Sequence, residues 1–209
     1  MFDVLKIIGD SKVIAILRGV PPQYLDDTLD ALIAGGIRCV EITMDSPGAL
    51  DMIRQAKATY GSQLLVGAGT VLDAETARLA ILAGADFCLS PTVDVQMIEL
   101  CNRYGVLAVP GIFTPTEAIT AWNAGAQLLK VYPATIGGPG YIKDLLGPLS
   151  QLRLLPVGGV NKDNARAYIN AGAFAVGVGS NLVNATEVKA GNFAQITSEA
   201  DALMKGTSA

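Results

Sequence analysis

Short apolar runs alternate with amphipathic segments along the whole of this 209-residue chain. The runs at 13–17, 39–43, 64–69, 87–91, 107–112, 128–133, 153–159 and 175–180 are short and bounded by turn residues, so they read as eight buried strands. Between them, apolar positions recur with helical spacing over 24–34, 49–60, 74–83, 95–104, 115–124, 141–149 and 162–171, and a brief helix over 2–9 leads. Several helical segments end on an Ala-Gly pair: Ala34-Gly35, Ala83-Gly84, Ala124-Gly125 and Ala171-Gly172. Glycine just past a helix supplies the left-handed cap, so these pairs punctuate a strand-helix unit that repeats about every 20 to 26 residues.

Eight such units predict an α/β protein: one (β/α)₈ TIM-barrel domain over 1–209, with a short N-terminal helix and a C-terminal helical tail. The competing architecture is an open doubly wound sheet. It is disfavoured because Gly67-Ala68-Gly69-Thr70 and Gly177-Val178-Gly179-Ser180 both lack the third glycine of a dinucleotide-binding turn.

Composition narrows the function classes. An apolar fraction of 51% and a mean hydropathy of +0.41 point to apolar surface covered by a subunit partner. A net charge of -4 without a Lys/Arg stripe argues against nucleic acid or an anionic membrane, which leaves small molecules as partners. Residues 1–6 lack the pattern of a secretory signal and no apolar run reaches membrane-spanning length, so a cytoplasmic location is expected. Cys39, Cys88 and Cys101 are odd in number and without metal-ligand spacing, so neither a disulfide framework nor a metal is expected. Asn184-Ala185-Thr186 matches a glycosylation acceptor but reads as chance without a signal. The absence of histidine excludes Ser-His-Asp and Cys-His catalysis, and leaves acid-base work to Asp, Glu, Lys, Tyr or Cys.

Lys130 is the residue that most needs a reason. It stands in the apolar run Leu128-Leu129-Lys130-Val131-Tyr132-Pro133, and an ammonium is costly to bury. Its amine could reach water along an apolar stem, or pair with a carboxylate, or stay in an apolar pocket with a lowered pKa and attack a ketone. Alternation in Cys39-Val40-Glu41-Ile42-Thr43 turns Glu41 into the barrel, and the same parity turns Lys130 inward. Strands two and six face each other across an eight-stranded barrel, so the two charges are expected to meet near its axis, as a structural pair or a catalytic one. Arg18, Thr43, Thr70, Ser90 and Tyr132 are the other polar residues at strand ends. Glycines at Gly158-Gly159 and Gly177–Gly179, with Asn161 and Ser180 or Asn181 as candidate helix N-caps, make the last two loops a candidate phosphate site.

These residues also carry a resemblance. Ile14-Ala15-Ile16-Leu17-Arg18-Gly19, Val40-Glu41-Ile42-Thr43, Val66-Gly67-Ala68-Gly69-Thr70-Val71, Ser90-Pro91, Val109-Pro110-Gly111, Leu129-Lys130-Val131-Tyr132-Pro133-Ala134 and Val157-Gly158-Gly159-Val160 resemble motifs of the class I 2-keto-3-deoxy-6-phosphogluconate and 2-keto-3-deoxy-6-phosphogalactonate aldolases, a family that includes 4-hydroxy-2-oxoglutarate aldolases. The resemblance implies a Schiff base on Lys130 and acid-base work by Glu41. It implies substrate binding by Arg18, Thr70, Pro91, Val157, Gly158, Gly159, Gly179 and Ser180, with the phosphate on the last glycine loops. It further implies a 2-oxo acid phosphate as substrate, a homotrimer, and neither metal nor cofactor. Gluconate-type members often carry arginine where this chain has Asp45, and threonine where it has Val157; both departures lean toward the galactonate type. A sugar-phosphate isomerase or epimerase on the same barrel, and a non-catalytic phosphate-binding barrel, are the other functions these residues allow.

Overall fold

In the computed structural model, which describes residues 2–207, strands and helices alternate as the apolar runs predict; the expected 1–209 unit extends beyond these to Met1, Ser208 and Ala209, outside the described residues. Helix α1 (Phe2–Ser11) precedes β1 (Val13–Leu17), and a 3₁₀ turn (Pro22–Tyr24) leads into α2 (Leu25–Ala34). There follow β2 (Cys39–Thr43), α3 (Ala49–Tyr60), β3 (Leu65–Gly69), α4 (Ala74–Leu82), β4 (Phe87–Leu89) and α5 (Val95–Arg103). The second half holds β5 (Leu107–Val109), β6 (Gly111–Ile112), α6 (Pro115–Asn123), β7 (Leu129–Val131) and α7 (Ala134–Leu146). It ends with β8 (Leu154–Pro156), α8 (Ala165–Asn170), β9 (Val176–Val178), α9 (Ala185–Lys189) and α10 (Phe193–Thr207).

All strand pairs are parallel. One sheet runs β5-β4-β3-β2-β1-β9 and the other β6-β7-β8. The expected strand over 107–112 is divided at Pro110, which has no N–H to give to a ladder, although its carbonyl accepts the Lys130 N–H at 2.9 Å. At the other side, Val157 just past β8 bridges to Gly177 within β9. The result is an α/β fold whose parallel strands curl around a common interior.

Three helices depart from expectation for local reasons. The one placed at 141–149 runs instead from Ala134 to Leu146, with Gly138 and Pro139 interrupting it. The one placed at 162–171 shrinks to Ala165–Asn170, because the Asn161 side chain accepts the N–H groups of Asp163 and Asn164 and holds a turn first. In the first Ala-Gly pair, Gly36 (φ 93°) and not Gly35 takes the left-handed cap. Gly35 is needed for a different reason: a Cβ there would lie 2.4 Å from that of Ala200 on α10, which packs over α2.

Strand parity sorts the side chains into two cores. Val13, Ala15 and Leu17 of β1, Val40 and Ile42 of β2, and Leu129 and Val131 of β7 face the helices. Ile14 and Ile16, Cys39, Phe87 and Leu89, Leu128, Leu155 and Val157 form a second, inner cluster, which Leu5 and Ile8 of α1 join beside the first residues of the strands. The helix therefore plugs the end of the interior where the strands begin, and the other end is left to the loops. Within this inner layer Phe87 is fully buried and uses the space of Gly67, where a Cβ would sit 2.0 Å from the ring. Gly67→Ala should therefore destabilise the fold by about 1–3 kcal/mol through overpacking. The check is a lower urea midpoint at unchanged m-value; an unaltered midpoint would mean that Phe87 gives way at no cost.

Candidate active site

Lys130 sits in the middle of β7 with its two neighbours facing the helices, so its own side chain enters the interior. Only 4% of the residue is exposed, which excludes the solvent-reaching arrangement. Among the described residues no carboxylate lies within ion-pair distance of the ammonium, and the nearest cation-π partner is the Tyr132 ring, 5.0 Å from Nζ to centroid. Burial pulls the amine below its ordinary pKa; the charge of Glu41 opposes this, and that of Arg18 reinforces it.

Glu41, in the middle of β2, is 1% exposed. Its Oε1 lies over Gly69, where a Cβ would come within 1.5 Å, so that glycine is the space in which the carboxyl stands. Its Oε2 is buried and has no hydrogen-bond partner among the described residues. Burial raises the carboxyl above the usual carboxylate range, against the attraction of Lys130 and Arg18 and with help from Asp45. The two groups thus share one cavity, feel each other's charge, and are both driven by burial toward their neutral forms. A neutral amine is a nucleophile and a carboxyl that titrates upward can exchange protons, which is the pairing that carbonyl chemistry requires.

At the mouth, Arg18 follows β1 and donates from one terminal nitrogen to Thr70 Oγ1 at 2.9 Å and from the other to the Asp45 carboxylate. Thr70 has φ 56°, a conformation that costs a β-branched residue on the order of 1–3 kcal/mol and that tends to be retained at functional sites. Two of the expected polar residues do not reach the cavity. Thr43 Oγ1 bonds the Leu17 carbonyl and Ser46, and Ser90 Oγ accepts from the Thr92 N–H at 3.2 Å, so both hold loops in place.

The last two loops complete the site. Gly158 and Gly159 have φ 99° and 73°, which lets the chain turn sharply after Val157. Asn181 Nδ2 donates to the Val160 carbonyl at 2.9 Å and ties the two loops together. The N–H groups of Gly159, Ser180 and Asn181 have no protein acceptor among the described residues. The helix N-cap in the last loop differs from expectation. Neither Ser180 nor Asn181 begins a helix; the cap is Asn184, whose side chain accepts the Thr186 N–H, and α9 behind it has five residues. Anion recognition at this end therefore rests on loop amides and not on a helix terminus. Asn184, read from the sequence as a chance acceptor site, lines the cavity, as do Val183 and Ala185, which sequence reasoning missed. Their only signal was an Asn two residues before a Thr, the pattern of an Asx cap.

Lys130, Glu41, Arg18, Thr70, Pro91, Val157, Gly158, Gly159, Gly179 and Ser180 all line one cavity of about 650 Å³, within the ordinary range for small-molecule sites. Among the described residues no group of three or more acidic or sulfur side chains is placed to hold a metal.

Residues 4–199 match the family model described as "KDPG and KHG aldolase". The 2-dehydro-3-deoxy-6-phosphogalactonate aldolase of Escherichia coli K12 is 38% identical over 83% of this chain and 85% of its own length. A structure described as native KDPGal superposes with a TM-score of 0.87 at 36% identity, covering 93% of each chain. The KDPG aldolase of Legionella pneumophila, solved with pyruvate captured as a covalent carbinolamine, superposes with a TM-score of 0.89 at 27% identity over 95% of this chain and 97% of its own.

The shared field of the two buried charges is directly measurable. In Glu41→Gln the attraction that holds the Lys130 ammonium is removed, so its amine should titrate at a lower pH than in the parent. Carbon-13 NMR of the lysine ε-methylenes reads this; titration of Lys130 at the same or a higher pH would show that the two groups do not sense each other.

Proposed function

This chain belongs to the KDPG and KHG aldolase family, and from that membership together with the site geometry we propose the following mechanism for a Schiff-base aldolase that cleaves a 2-oxo-3-deoxy-6-phospho sugar acid to pyruvate and glyceraldehyde 3-phosphate. The observation that carries it is the Lys130 amine: nearly wholly buried, free of an ion pair among the described residues, and in the same cavity as Glu41. As free base it adds to C2 of the substrate and loses water, giving an iminium. Glu41 accepts the proton of the C4 hydroxyl, the C3–C4 bond breaks, and its electron pair passes into the iminium to give an enamine as the aldehyde leaves. Glu41 returns a proton to C3, and water then releases pyruvate and regenerates the amine.

The remaining residues take the two ends of the substrate. Arg18 and Thr70 hold the carboxylate and keto end, with Pro91 against the chain. Val157, Gly158, Gly159, Gly179 and Ser180 receive the phosphate end; the unbonded amides of Gly159 and Ser180 support this assignment. We read the two sheets as arcs of one eight-stranded (β/α)₈ barrel in a single domain. The Val157–Gly177 bridge and the Pro110 carbonyl bonded to Lys130 support closure on both sides. The same reading makes the protein a cytoplasmic homotrimer. Leu79 and Leu82 on α4, with Leu72 before it, are about half exposed, which favours a partner surface there. No helix among the described residues is long and apolar enough to cross a membrane.

Borohydride added in the presence of pyruvate should leave an irreversible pyruvyl adduct on Lys130, located by peptide mass. Lys130→Ala should form none and should lose cleavage. Folded parent protein without adduct would instead support an isomerase or a simple binding protein. Glu41→Gln should keep the fold and lower kcat by about 10²–10⁴-fold, the usual worth of a positioned acid-base group.

A further inference from the structure

Arg18 is the only cation besides Lys130 among the residues lining the cavity, and both of its terminal nitrogens are engaged before any ligand arrives. Asp45, its ionic partner, does not itself line the cavity. The contact is built into the loops and does not depend on two long side chains meeting by chance. Asp45 lies in the turn after β2, where the Ser46 N–H donates to the Thr43 carbonyl at 2.9 Å. Ser46 Oγ, in a buried residue, accepts the N–H of Gly19, next to Arg18, at 2.9 Å. The Met44 N–H donates to the Gly69 carbonyl, next to Thr70, at 2.8 Å. The three segments that carry Arg18, Asp45 and Thr70 are thus cross-bonded.

We propose that Asp45 is a positioning residue that fixes the Arg18 guanidinium at the mouth and offsets its charge, so that a 2-oxo acid carboxylate is received by hydrogen-bond geometry in a nearly neutral setting and held loosely. This rests on the reading of Arg18 as the carboxylate-end ligand. A guanidinium has five donors in a fixed fork, so a carboxylate can bind beside Asp45, but it does so against a like charge. Asp45 and Arg18 are about half exposed, with side-chain exposures of 47% and 54%, so the pair adds little to stability and its removal leaves the fold intact.

The test is Asp45→Asn, which keeps the shape and removes the charge. The half-saturating pyruvate concentration for borohydride trapping on Lys130 should fall by about tenfold, with a steeper dependence on salt, since an unshielded Arg18 attracts the anion through a longer-ranged field. The pH profile of cleavage should move toward acid on both limbs. Glu41 loses the anionic Asp45, and both Glu41 and Lys130 then face a fuller Arg18 charge. Asp45→Glu should return the half-saturation and the profile toward the parent. A half-saturation that is unchanged or raised in Asp45→Asn, with adduct still forming in the parent, overturns the role of Asp45. Absence of adduct in the parent overturns the Schiff-base reading instead. Asp45→Ser provides a second neutral variant if the asparagine perturbs the loop.

Discussion

Two opposite charges held in one apolar interior without being allowed to pair form the constraint on which this structure depends. An ammonium and a carboxylate in direct contact would neutralise each other electrostatically and each would keep its charge. Here Lys130 and Glu41 are buried on separate strands, out of ion-pair distance, and burial drives each toward neutrality. Their separation is a property of the backbone. Each occupies the middle of a strand whose flanking residues are locked into the helix-facing core, so neither side chain can swing out without reversing the parity of its strand.

Glycine provides the space for this arrangement. On the inner face of β3, Gly67 leaves room for the Phe87 ring and Gly69 for the Glu41 carboxyl. Large inner side chains from one strand are accommodated by missing ones on the next, which is how a small interior holds both a packed layer and a reactive one. The strained Thr70 follows directly on Gly69, so the same strand that makes room for the acid also sets the hydroxyl that meets Arg18.

Most of this was legible in the sequence because it follows from periodicity. Period-two alternation through Val40-Glu41-Ile42 and Leu129-Lys130-Val131 places both charges inside whatever the exact strand ends are, and the structure keeps that parity. What was not legible depends on partners distant in sequence. Nothing in Met44-Asp45-Ser46 shows that Asp45 meets a residue 27 positions earlier, since that contact needs the register of β1 against β2. Thr43 and Ser90 have the right residue types at strand ends, but Thr43 is taken up by the Leu17 carbonyl and the Ser46 hydroxyl, and Ser90 by the Thr92 N–H, partners that only the folded chain brings close. The short α8 is decided by bonds from the Asp163 and Asn164 N–H groups to the Asn161 side chain, which hold a turn where the apolar pattern predicts helix.

The plug formed by α1 has a consequence for traffic. Leu5 and Ile8 close the interior where the strands begin, and the cavity is lined by residues at or beyond the opposite strand ends. In the proposed reaction, substrate, both products and the hydrolytic water would therefore share one doorway. In the proposed assignment the phosphorylated aldehyde would lie in the outer loops and the pyruvate fragment would be tethered to Lys130 below it. Departure would then be ordered by depth: the aldehyde vacates the doorway first, and only then does water gain a clear path to the carbon that remains attached.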